Sequence, residues 1–176
     1  DDGRLLYRLE PRSGTWSDIT AQWEGRGEPF QPCVGGGAYL LVNGQATAPE
    51  RAEHLGTTLE GEAVVSHWRL SAADVSAQVT YTYHLWNKSL VIDTVAPGGM
   101  IAEVRYGRAV GLDNPRLVTN CYYPAAGGHP AVVVSGPPDA PLFLTGNTDW
   151  YLSNASEPWA GNAVDEQGVL YNGGTR

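Results

Sequence analysis

Residues 74–95 alternate with a period of two: Val75, Ala77, Val79, Tyr81, Tyr83 and Leu85 interleave with Ser76, Gln78, Thr80, Thr82 and His84. Successive side chains of a strand point to opposite faces, so the pattern predicts a strand with one buried and one wet face. It excludes a helix here, whose apolar positions would recur every three or four residues. Asn87-Lys88 interrupts the alternation before residues 89–95 resume a β-rich run. Asn tolerates a positive φ, so the stretch predicts a long antiparallel hairpin turning at Asn87.

Shorter runs carry the same signature. Residues 63–70 contain Val and Trp, residues 101–110 alternate through Ala102, Val104 and Tyr106, and residues 131–134 and 142–145 are brief apolar runs. Each is bounded by Gly, Pro, Asn or Asp, and the chain holds 22 Gly and 12 Pro, a density that favours short strands and turns over long helices. Asn43-Gly44 and Asp165-Glu166 are hairpin-turn signals. Residues 49–54 allow at most a helical turn. The fold expected is all-β, an antiparallel β-sandwich over residues 1–176, supersandwich-like and partial. A chain of 176 residues is one domain's worth and long enough to bury a core. Its ends read as those of a segment of a longer protein.

The net charge of −8 argues against nucleic acid or an anionic membrane as partner, since either needs a basic patch. No apolar run approaches the ~20 residues that span a bilayer as a helix. Gly35-Gly36-Gly37 is followed by an apolar β-like run and the Asn43-Gly44 turn, so it reads as the start of a strand and not as a phosphate loop, which would lead into a helix N-terminus. Cys33 and Cys121 lack the spacing of a zinc site or a redox motif. They can form one disulfide outside the cell or remain two buried thiols. Asn87-Lys-Ser and Asn154-Ala-Ser match the N-glycosylation tripeptide, a pattern that also arises often by chance.

Chemistry concentrates in aromatic-rich segments. Asn147-Thr-Asp-Trp-Tyr-Leu-Ser-Asn-Ala-Ser-Glu-Pro-Trp159 sets two indoles and a phenol among carboxylates and amides. A pyranose offers C–H faces to a ring and hydroxyls to Asp or Asn, so this mixture suits a sugar. As a strand end, the segment would turn Trp150 and Tyr151 to opposite faces and leave one of them for contact. Asn147, Asp149, Trp150, Tyr151 and Trp159 are therefore candidate ligand contacts. Tyr123 and His129 join them from Tyr122-Tyr-Pro and the Gly127-Gly-His-Pro loop, and Trp16 with Trp23 forms a third candidate group. Trp68 and Trp86 lie in strands and are expected to be structural. Of the four histidines, His67 and His84 fall in strands, and no metal-binding spacing or Gly-x-Ser-x-Gly elbow is present. No metal or other cofactor is expected. Asp149, Glu157, Asp165 and Glu166 include enough carboxylates for a glycosidase pair, but spacing along the chain does not set any two across a cleft.

Leu90-Val-Ile-Asp-Thr-Val-Ala-Pro-Gly-Gly, Val104-Arg-Tyr-Gly-Arg, Asn114-Pro-Arg-Leu, Tyr122-Tyr-Pro and the segment from Asp149 to Trp159 together resemble the β-sandwich that precedes the catalytic barrel in some large, mostly uncharacterised bacterial glycoside hydrolases. Those sandwiches resemble the galactose-mutarotase-like fold. The resemblance covers roughly residues 55–176. It implies a secreted or periplasmic protein, a carbohydrate ligand, and a catalytic acid and nucleophile on a later domain or neighbouring subunit. The chain departs from the family in being shorter than a full supersandwich and in lacking a recognisable mutarotase His and Glu pattern, so no catalytic role is carried over.

Three functions follow as expectations. The first is a non-catalytic carbohydrate-associated sandwich that supports or extends a glycan cleft. The second is a self-contained epimerase or lyase in which His67, His84 or His129 works with a carboxylate. The third is a structural extracellular module that assembles with itself or a partner subunit.

Overall fold

The computed structural model describes residues 5–23, 26–87, 89–119, 131–165 and 168–175. It is all-β, as the alternation and turn density require. β1 (Leu5–Leu9), β2 (Ile19–Trp23), β3 (Arg26–Val34), β4 (Gly37–Val42) and β5 (Gln45–Thr47) begin a nine-stranded sheet. β6 (Arg51–Glu60), β7 (Ala63–Ala72), β8 (Val75–Trp86) and β9 (Ser89–Val95) then form a four-stranded meander. β10 (Ile101–Arg105) and β11 (Arg108–Val110) return to the first sheet, β12 (Arg116–Thr119), β13 (Ala131–Ser135) and β14 (Leu142–Leu144) make a three-stranded sheet, and β15 (Pro158–Asp165) with β16 (Gly168–Thr175) rejoins the nine-stranded one. Every strand pairing among the described residues is antiparallel. Among those residues no helix is long and apolar enough to cross a membrane.

The inward set of the long hairpin builds the main core. Ala77, Val79, Tyr81 and Tyr83 of β8, with Trp68, Leu70 and Ala72 of β7, pack on Trp16, Ile19, Ala38 and Leu40 from the nine-stranded side. The Tyr81 hydroxyl crosses between the sheets and accepts the Ala38 N–H at 3.0 Å, satisfying a buried donor that would otherwise lack a partner. Asn87 turns the hairpin at φ 54°, and Asn43-Gly44 turns β4 into β5 at φ 50° and 77°. A smaller core, with Ala109 of β11 and Val133 of β13 at its centre, ties the three-stranded sheet to the body.

Three sequence expectations give way. Residues 49–54 do not form a helical turn: from Arg51 they are the edge strand β6, whose alternation is hidden by a register shift between His54 and Gly56 and by exposure of most of its side chains. The run 101–110 is two strands and not one, broken at Tyr106-Gly107. Trp16 is not a loop-borne contact residue. It lies in a short 3-10 turn, Trp16–Asp18, whose N-terminus is capped by Thr15, and its ring is driven edge-on toward Tyr81 in the core.

The Val104-Arg-Tyr-Gly-Arg motif has a packing explanation. The Arg105 guanidinium donates to buried Glu103 at 2.9 Å and lies 3.9 Å over the Tyr39 ring. Gly107 holds φ +86°, and a Cβ there would meet Gly36 N and Val34 O at 2.6 Å. Gly36 is equally constrained, its own Cβ position lying 2.6 Å from Tyr106 O. Two backbone segments touch at this point, which is why Gly36 stands just before β4. Gly107→Ala is expected to cost about 2–3 kcal/mol in urea unfolding, the left-handed strain plus forced separation of two backbones. Gly44→Ala, with nothing within 4 Å of its Cβ position, carries only the φ penalty and is the control.

Candidate functional site

The loop 145–157, between β14 and β15, gathers four of the candidate residues. Its base is locked. The Tyr106 ring lies against Gly146, where a Cβ would sit 2.9 Å from Cδ2, and the Tyr106 hydroxyl hydrogen-bonds the Thr148 hydroxyl. Burial raises the Tyr106 pKa, an effect the Thr148 hydrogen bond partly opposes. Next, the Asp149 carboxylate accepts the Tyr151 N–H at 3.0 Å and the Asp149 carbonyl accepts the Leu152 N–H at 3.3 Å. Asp favours such a turn because its short side chain can satisfy the backbone two residues on. Ser153 repeats the device with Ala155 N at 3.1 Å.

This turn places the rings. Trp150, Tyr151 and Leu152 are 43%, 99% and 84% exposed, and Asn147 and Asp149 are exposed beside them. The strand-end expectation for Trp150 and Tyr151 is corrected, because in a turn the opposite-face rule does not apply and both rings reach solvent. Trp159 sits on β15 opposite Gly174, and its side chain lies outside the described residues. Tyr123, His129 and Cys121 also lie outside them. Cys33, on β3, is half-buried against the main core.

The histidines occupy separate places on the meander. His54 stacks on Trp68 with centroids 4.7 Å apart and shares a 2.7 Å hydrogen bond with the Thr57 hydroxyl, which continues at 3.1 Å to the buried Ser66 hydroxyl. His67 Nδ1 meets the Thr80 hydroxyl at 3.0 Å. His84 Nδ1 lies 3.7 Å from an Asp93 carboxylate oxygen. Among the described residues no group of three His, Cys, Asp or Glu side chains is positioned to hold a metal ion. A recess of about 160 Å³ lined by Glu50, Arg51, Ser71, Ala72 and Ala73 is smaller than the ~300 Å³ or more usual for a ligand pocket.

Besides Trp16, a second tryptophan was misplaced by sequence reasoning. Trp86 was expected to be structural, yet it is 68% exposed at the end of β8. The parity of the alternation carried the signal: residue 86 falls in step with Thr80, Thr82 and His84, on the wet face. Residue type pointed inward and position pointed outward, and position decided. No family model matches the chain, and no curated protein and no solved structure matches it either.

Proposed function

We propose that this chain is a non-catalytic carbohydrate-binding β-sandwich domain of a secreted glycoside hydrolase, in which the loop 145–157 supports or extends a glycan cleft completed by a neighbouring catalytic domain or subunit. One observation carries the reading: Trp150 and Tyr151 stand exposed on a loop whose base is locked to the sandwich, with the Asn147 amide and the Asp149 carboxylate alongside. Loops held by a rigid scaffold are where binding groups concentrate. An indole and a phenol offer flat faces to the C–H side of a pyranose. A carboxylate has about four acceptor positions, so Asp149 can hold its own turn and still accept sugar hydroxyls. The net charge of −8 suits neutral glycans better than polyanionic ones.

The test is a titration of the purified chain with a glycan panel, followed by tryptophan fluorescence and calorimetry. Saturable binding to one sugar class is expected. Trp150→Ala and Tyr151→Ala should each weaken it by about tenfold, since a lost ring contact of ~1.4 kcal/mol is one decade, with melting temperature unchanged. Undiminished parent affinity for that sugar class in both variants, or silence across the panel, refutes the proposal.

A further inference from the structure

We infer that the open face of the four-stranded sheet carries a second, shallow carbohydrate platform, centred on Trp86 with His84, Asp93 and Thr82 as its polar partners. The register sets these groups together. Trp86, His84 and Thr82 alternate along β8 on the face opposite the core, and β9 places Ser89, Val91 and Asp93 directly across from them. The 3.7 Å approach of His84 to Asp93 confirms that both point to this face. From Trp86 to Thr82 the platform runs about 13 Å along the strand, room for a short run of sugar units.

The indole belongs to neither core cluster. Its cross-strand partner is Ser89, too small to pack against it, and the ring stays 68% exposed. An unpaired Trp at a strand end gains little from burial, so the fold does not require it. The neighbours tell against a protein docking surface. Interface hot spots sit in well-packed, desolvated surroundings, whereas Trp86 has Ser89 across from it and His84 two residues back on its own strand, with the His84–Asp93 pair beyond. That mixture suits a ligand presenting a C–H face and several hydroxyls at once: the ring takes the face, His84 can donate or accept, and Asp93 accepts. Val91 adds half-buried apolar surface beside the ring. A neutral oligosaccharide has this chemistry. The inference rests on the sheet face alone and does not need the loop 145–157 to bind sugar.

The experiment titrates the full chain with neutral β-linked gluco-, xylo-, manno- and galacto-oligosaccharides by calorimetry, in four forms: parent, Trp86→Ala, the Trp150→Ala/Tyr151→Ala pair, and all three substitutions together. The loop pair is expected to retain binding to at least one oligosaccharide, and adding Trp86→Ala should weaken that residual binding by tenfold or more. His84→Ala should reduce it several-fold, and Trp86→Phe, which keeps a ring and guards against a folding artefact, should retain most of it. Binding lost with the loop pair but indifferent to Trp86→Ala overturns the platform and leaves the loop reading standing. Binding lost with Trp86→Ala but indifferent to the loop pair does the reverse. No binding in the parent chain overturns both. Concentration-dependent self-association that Trp86→Ala abolishes, without oligosaccharide binding, would make the face a protein contact and also overturns the inference.

Discussion

Trp68→Ala is expected to lower unfolding free energy by about 3–5 kcal/mol, the range for deleting a buried tryptophan, and the melting temperature by roughly 10 °C or more for a chain of this length. Trp68 is 2% exposed in the core, paired with Val79 across β7 and β8. His54 covers it on one side. Gly14 approaches so closely that a Cβ there would meet Leu70, Ala52 and Trp68 at 2.8–3.0 Å. With backbone already in contact, the surroundings have little freedom to collapse into the cavity. Trp86→Ala, the same substitution one strand away, is expected to stay within about 0.5 kcal/mol, as exposed replacements usually do. Urea unfolding of both variants measures the contrast. Equal losses would mean that the core place of Trp68 and the exposed place of Trp86 are misassigned.

Alkaline unfolding is the second large effect. Burial pushes the Tyr81 pKa up to about 12; the Ala38 N–H hydrogen bond pulls against that and the Asp18 charge adds to it. Burial raises Tyr83 further, with Tyr81, Asp18 and Cys33 contributing in the same direction. In the unfolded chain both phenols ionise near pH 10. Below that pH they are neutral in both states and cost nothing. Above it the unfolded state loses protons that the folded state retains, so stability falls as pH rises. Tyr81 alone should cost roughly 2–3 kcal/mol by pH 12, at ~1.4 kcal/mol per pH unit, and Tyr83 steepens the fall. Urea midpoints at pH 9, 10, 11 and 12 should decline from pH 10 onward. Tyr81→Phe should lower stability at pH 8 by about 1–3 kcal/mol, because the Ala38 N–H loses its acceptor, and should flatten the alkaline decline. A variant with the parent's slope would show that Tyr81 does not titrate as its burial implies.

The two effects trace to the paired strands β7 and β8, and they show what was legible in them. The alternation of residues 75–85 names Ala77, Val79, Tyr81 and Tyr83, which become the core, while Leu85 at the strand's end stays 62% exposed, and Asn87 and Asn43-Gly44 mark turns that form as expected. Asp165 pairs with Gly168, as the hairpin signal required. Each is a local property: side-chain parity and backbone φ preference depend on neighbours in the chain. β6 was missed because an edge strand with a register shift buries too little to impose a pattern. The run 101–110 read as continuous because the reason for its break, contact of Gly107 with Gly36, lies some seventy positions away.

For the candidate sites the same division holds. Composition picked out the aromatic and acidic character of residues 147–159, but the turn that exposes both Trp150 and Tyr151 depends on Tyr106 holding Gly146 and Thr148 from a distant segment. Trp16 and Trp86 exchanged the roles expected of them: a capped turn sends the first into the core, and strand parity leaves the second in water. By itself the sequence determined the all-β class, the long hairpin with its inward and outward faces, and the turns, because these follow from local sterics and period-two alternation. The tertiary structure alone decided which strands share a sheet, which glycines must be glycine, and which aromatic rings remain available to a ligand, because those depend on contacts between segments that are remote in the chain.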